Sequence, residues 1–354
     1  MTSETELRAE LARDGVLFLS DKRTVGYSHL ATCLQQGFGA LGIPCHALPS
    51  ELGEVTIDQR QVPENFRLSA AVPPDSTALC LLDVTNLPAK FYRHPSFVGL
   101  LANLKARRLL LISQSDENSD LWNELVIEGK PVLLLATAEN RNFRPPGQRL
   151  PWAFGLSQAI IDSVQPRAKQ ADGILRNFRP SLSQDVRLML DLALLPHLDG
   201  TFRIDRALDE AGHGRQGHFA RLASAEACLA YGGALREDIS RNPAFGITDP
   251  SPFLAEPAIL RWDSWRFWEA LAAGCAAIHL DLARYGLMLP VMPEPWHHYV
   301  PIDLADPRAT AQRIIAERDR LPEIGAAGRA WALTHYAPHP VAERIIAVVA
   351  NDAA

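Results

Sequence analysis

Two Rossmann-like α/β domains facing a cleft are what this sequence predicts, and three observations predict them. Short apolar runs alternate with segments of helical period through both halves of the chain. The 354 residues, 47% of them hydrophobic, suffice for two cores of ordinary size. Between about 140 and 180 the composition turns basic and turn-rich, through Arg141-Asn142-Phe143-Arg144-Pro145-Pro146-Gly147, Pro151 to Gly155 and Gln165-Pro166. The expected division is 1–160 as an acceptor-binding domain, 161–335 as a donor-binding domain and 336–354 as a helix crossing back to the first.

The first half opens on an amphipathic helix over 4–13 and then Val16-Leu17-Phe18-Leu19, the apolar signature of a buried parallel strand. Leu30, Leu34, Phe38 and Leu41 share one side of a helix over 28–41 that Gly42 and Pro44 stop. Ala78–Leu82, Arg108–Ile112 and Pro131–Ala136 are further strands. In the second half, Ile174-Leu175 is a first strand, 182–195 a helix, and Phe219–Leu229 an amphipathic segment ending at Gly232-Gly233. Ala258–Leu260 is a short strand, 264–273 a helix capped by Asp263 or Ser264 and closed by Gly274, and Cys275–Leu280 a buried strand. Helices are expected over 307–320, 325–334 and 341–350.

Composition excludes some functions. A formal net charge of -6 argues against bulk nucleic acid or an anionic membrane face as the partner. Five dispersed cysteines without a CxxC pair are expected as reduced thiols. The polar N-terminus has no signal-peptide core, and the apolar runs are too short to span a bilayer, so a cytoplasmic protein with no membrane span is expected. The 21–28 loop has neither GxGxxG nor GxxxxGK[ST], which removes dinucleotide and P-loop readings. His297, His298, His335 and His339 lack a metal-ligand spacing, and His213 and His218 are expected in a glycine-rich loop.

Glu269 is the physical anomaly. On a helix, 265, 268, 269 and 272 share a face, so an acid falls among Trp265, Trp268 and Ala272. A buried carboxylate needs partners, either structural ones such as Arg261 or Arg266 or the hydroxyl groups of a ligand. The run Phe267-Trp268-Glu269-Ala270-Leu271-Ala272-Ala273-Gly274-Cys275-Ala276-Ala277-Ile278 resembles the "EALAAGxPVI" segment of GT-B glycosyltransferases, in the flavour of exostosin-like and family-4-like bacterial enzymes. Trp296 to Asp303 and then Gly328-Arg329-Ala330-Trp331 resemble the closing pattern of those families. The resemblance spans about 215–350 and implies that Glu269 binds the ribose hydroxyls of a nucleotide-diphosphate sugar. It implies no cofactor beyond that donor and no metal. Family-4-like enzymes carry a second Glu eight positions earlier; here that position is Arg261, with Asp263 the nearest acid, so the resemblance does not extend to the stereochemical outcome.

A diphosphate needs neutralising groups. Arg179, before Pro180 and the following helix, is the first candidate and Arg176 the second, with a solvated or salt-bridged arginine as the alternative. Arg266 either reaches the phosphates or pairs with Asp263. Gly233 either caps a helix or lets the backbone approach the nucleotide. In the first domain, Asp21 ends a strand and His29 opens a helix, where active sites of open α/β sheets lie. Either is a candidate base toward an acceptor hydroxyl, and His29 is alternatively a capping residue. The function implied is a metal-independent glycosyltransferase acting on a glycan, a small molecule or another hydroxyl-bearing acceptor, a nucleic acid included. The alternatives are a sugar-nucleotide epimerase or other GT-B relative, or a non-catalytic nucleotide-sugar-binding or assembly protein.

Overall fold

In the computed structural model, which describes residues 3–19, 29–46, 77–85, 92–114, 124–141, 149–178, 184–206, 214–235 and 259–352, the apolar runs become strands of two separate parallel sheets. The chain divides into two units, 1–137 with 145–157 and 337–354, and 138–144 with 158–336.

The first unit begins with α1 (Glu4–Asp14), whose Ser3 and Glu6 form a reciprocal cap. It continues through β1 (Val16–Leu19), α2 (His29–Ala40), β2 (Cys45–His46), β3 (Thr77–Asp83), α3 (Pro95–Asn103), β4 (Ala106–Ser113), β5 (Val132–Ala136) and β6 (Arg149–Pro151). The strand order is β2-β1-β3-β4-β5-β6, every pair parallel. Every residue of β1 and β3 is buried, which is why they read as unbroken apolar runs rather than alternating ones. The C-terminal helix Pro338–Asp352 packs on α1 and α2. A Cβ on Gly37 of α2 would sit 2.1 Å from the Pro338 carbonyl oxygen, so only glycine allows that approach. Arg8 of α1 reaches Glu4 and Glu343 together, tying the same helix down by charge.

The second unit runs through α4 (Gln158–Ser163), β7 (Gln170–Leu175), α5 (Asp185–Ala193), α6 (Leu195–Leu198), β8 (Arg203–Asp205), α7 (Gly214–Ser224) and β9 (Ala225–Leu229). Then follow β10 (Ala234–Leu235), β11 (Ile259–Leu260), α8 (Trp265–Ala272), β12 (Ala276–Leu280), β13 (Val300–Ile302), α9 (Pro307–Ala316) and α10 (Leu321–Tyr336). The main sheet has the parallel order β13-β12-β9-β7-β8. Counting only its own strands in chain order, each sheet therefore starts 2-1-3-4-5, the doubly wound order whose direction reverses between its first and third strands. Those switch points are β1/β3 in the first unit and β7/β9 in the second.

Two expectations need correction. Phe219–Leu229 is not one amphipathic helix: α7 stops at Ser224 and Ala225–Leu229 is a buried strand, because a short apolar run carries no period of its own. Gly232-Gly233 therefore follows a strand and caps no helix. Ile259–Leu260 is a strand, but it pairs antiparallel with Ala234–Leu235 outside the main sheet. No helix among the described residues is long and apolar enough to cross a membrane.

Candidate functional site

In a doubly wound sheet ligands bind beyond the carboxyl ends of the strands where the order reverses, which in the second unit are β7 and β9. β7 runs out into Arg176-Asn177-Phe178, and β9 into Ala230-Tyr231-Gly232-Gly233. Helix α7 leads directly into β9, and α8 into β12 after three residues, so the first turns of both helices lie at this same edge. Ser264 caps α8, its hydroxyl accepting from the Arg266 amide at 3.3 Å, and Gly274 (φ 66°) follows its C-terminus. One side of α8 is fixed by aromatic packing: Trp268 lies on Trp331 and Tyr336, and Phe267 on His279 and Tyr299. That packing sets the rotation of the helix and turns Glu269 toward α7.

Glu269 is 7% exposed. Its Oε2 lies 3.0 Å from His218 Nε2, and His218 Nδ1 lies 2.6 Å from Asn177 Nδ2. The Asn177 carbonyl accepts from Arg266 Nε. Three elements thus close a ring of polar contacts: the end of β7, the first turns of α7 and the start of α8. Among the described residues, Glu269 Oε1 accepts no hydrogen bond. Burial pulls the Arg266 guanidinium below its ordinary value, against the opposing pull of Glu269 and Cys228. Burial likewise pushes the Cys228 thiol well up, which keeps it neutral beside this ring.

The other residues expected at the site lie elsewhere or are already engaged. Arg176 is ion-paired with Asp191 and stacks on Phe178, so its charge is already matched. Asp263 is buried and accepts from Trp268 Nε1 at 2.7 Å, bracing α8. Gly233 has φ 133°, and a Cβ there would meet Ile259 at 2.8 Å and Val186 at 3.2 Å, so protein atoms account for the glycine. Arg261 has φ 55°, an uncommon conformation for a residue with a side chain, at the turn between β11 and α8. Asp21 and Arg179 lie outside the described residues. His29 is the first residue of α2. The next amide, that of Leu30, donates to Gln114 Oε1, and Gln114 Nε2 to Asp83 Oδ2, both at 3.4 Å.

Sequence reasoning missed Asn177 and His218. His218 is a helical, largely buried residue and not part of a glycine-rich loop. Its partner is 51 positions away, and no local spacing joins them. The one available signal was Glu269 itself, an acid on an apolar face that required a donor from another element. Among the described residues no group of three or more His, Cys, Asp or Glu is placed to hold a metal ion.

No protein-family model matches the chain, and no match is found among curated proteins. Among solved structures, similarity is found to a pneumococcal O-GlcNAc transferase, GtfA, in complex with UDP and GlcNAc. It is 9% identical with a TM-score of 0.42, over 85% of this chain and 64% of that one. The chain thus spans less than two thirds of that relative's length. A second is AviGT4, a glycosyltransferase involved in avilamycin A biosynthesis, 13% identical with a TM-score of 0.39, over 76% of this chain and 83% of that one.

Proposed function

We propose that the second unit binds a nucleotide-diphosphate sugar at the β7/β9 switch point, and that the protein transfers the sugar to an acceptor hydroxyl without a metal ion. The observation that carries this reading is Glu269: a buried carboxylate, with His218 Nε2 on Oε2 and no protein donor on Oε1 among the described residues, at the carboxyl edge of a doubly wound sheet. A ribose diol supplies the hydroxyl donors such an oxygen lacks, and charge-assisted hydrogen bonds of this kind are among the strong ones. The resemblance around Glu269 assigns it the same role. Arg266 gives its Nε to Asn177, and among the described residues its two Nη groups donate to nothing else. They are our candidates for the diphosphate, together with Arg179, which follows β7 in the sequence. Cationic groups there would stabilise the departing nucleoside diphosphate. The first unit would bind the acceptor, with Asp21 and His29 the candidates for taking its proton.

Arg261 favours a second reading. It stands where family-4-like enzymes carry an acid near the reacting sugar, and a protein that binds the donor without transferring it needs no acid there. Turnover separates the two. Purified protein incubated with UDP- and GDP-sugars and an acceptor panel should release free nucleoside diphosphate, and Glu269→Ala should lose that release while melting within a few degrees of the parent. Donor binding with no release under any acceptor would support the binding protein. Unchanged release by Glu269→Ala would remove the ribose assignment.

A further inference from the structure

We propose that Asn177 and His218 are positioning residues for Glu269, forming a one-way hydrogen-bond chain that fixes one carboxylate oxygen and leaves the other for the ligand. This rests on the reading of Glu269 given above and adds the residues that prepare it. The direction of the chain follows from the donor inventory. With the Asn177 amide turned so that Nδ2, which can only donate, faces the ring, His218 Nδ1, 2.6 Å away, is the bare acceptor. The neutral imidazole then carries its proton on Nε2, which faces Glu269 Oε2 at 3.0 Å, an acceptor only. The start of the chain is itself fixed, because Arg266 Nε holds the Asn177 carbonyl.

The charged group that meets His218 is Glu269 of α8; Arg266 of α8 and Cys228 of β9 act on that carboxylate, and on α7 Arg221 is paired with Asp205. A neutral donor suits a binding carboxylate. An imidazolium at this place would match the charge of Glu269, whereas a neutral N–H orients the carboxylate and leaves its charge to the ligand hydroxyls. The side chains of His218 and Glu269 are only 12% and 9% exposed, so little water competes for the contact.

Two measurements test the chain. Nitrogen-15 NMR of the full-length protein, with His218 assigned through His218→Gln, should show Nε2 protonated and Nδ1 bare at pH 7; a proton on Nδ1 would overturn the proposal. Calorimetric titration with UDP and GDP reads the consequence. His218→Leu should weaken the bound nucleotide at least tenfold without lowering the melting temperature in proportion. His218→Gln, whose amide can donate to Oε2, should stay within about threefold of the parent. Asn177→Leu, which frees the tautomer, should fall between them. Equal losses for the Leu and Gln variants at position 218, or none in either while Glu269→Ala still loses affinity, would reject the chain alone. No loss in Glu269→Ala would reject the ribose reading beneath it.

Discussion

Glu269 and His218 lie 51 positions apart in the chain and meet at 3.0 Å. The helical wheel exposes Glu269 as an acid on an apolar face and demands a partner, yet offers only Arg261 and Arg266 nearby. The partner is His218, brought in by the fold. Asp263 or Ser264 as the cap of α8 was legible, because capping is local, and Ser264 takes that role. His279 is another residue whose behaviour only the structure reveals. It is fully buried on β12, with Nδ1 3.3 Å from the Leu280 carbonyl and Nε2 3.1 Å from that of Trp262. Loss of solvation outweighs those two carbonyls and pulls it down to about 4. The unfolded chain takes up this proton near 6.5, so the stabilisation is whole above that pH and declines as the pH falls toward 4. The loss amounts to about 3 kcal/mol across that window. Melting temperatures measured from pH 7 to 4 should fall steeply for the parent protein and less steeply for His279→Gln. Parallel curves would show that His279 does not carry the acid sensitivity.

At the scale of elements, length and continuity decided what could be read. The buried strands β1, β3, β4, β5 and β12 were legible as apolar runs between breakers, and α1, α2, α8 and α9 from their period and caps. The α7–β9 junction was not, since helix passes into strand with no glycine or proline between Ser224 and Ala225. The strands β8, β10 and β11 have two or three residues each and leave no pattern to find. Close packing of helices is equally silent in sequence. Gly37 and Gly39 look alike within α2, yet a Cβ on Gly37 meets the Pro338 carbonyl and Ala342 while one on Gly39 meets nothing within 4 Å. Gly37→Ala should therefore destabilise the protein by about 1–3 kcal/mol through overpacking. Gly39→Ala should stabilise it by ~0.4–1 kcal/mol through the lost freedom of the unfolded chain. Urea denaturation of the two variants checks the opposite signs, and a shared sign would contradict the packing of the C-terminal helix on α2.

On the scale of the whole molecule, alternation of strand and helix predicted two parallel α/β units, and the two sheets have that form. Their common 2-1-3-4-5 order was not legible, because strand order depends on which way each crossover turns and the sequence states only that a crossover exists. That order bears on the proposed site more than the motif resemblance does, since it singles out the β7/β9 edge by topology, independently of any single residue. The two lines meet at Glu269. The sharpest measurement is a cycle of protein and ligand deletions: affinities of the parent and of Glu269→Ala for UDP and GDP, each compared with its 2′,3′-dideoxy counterpart. If Glu269 binds the ribose diol, removing the hydroxyls weakens binding to the parent by about 10–100-fold and leaves Glu269→Ala almost unaffected. The same loss in both proteins, or no loss in the parent, would contradict it.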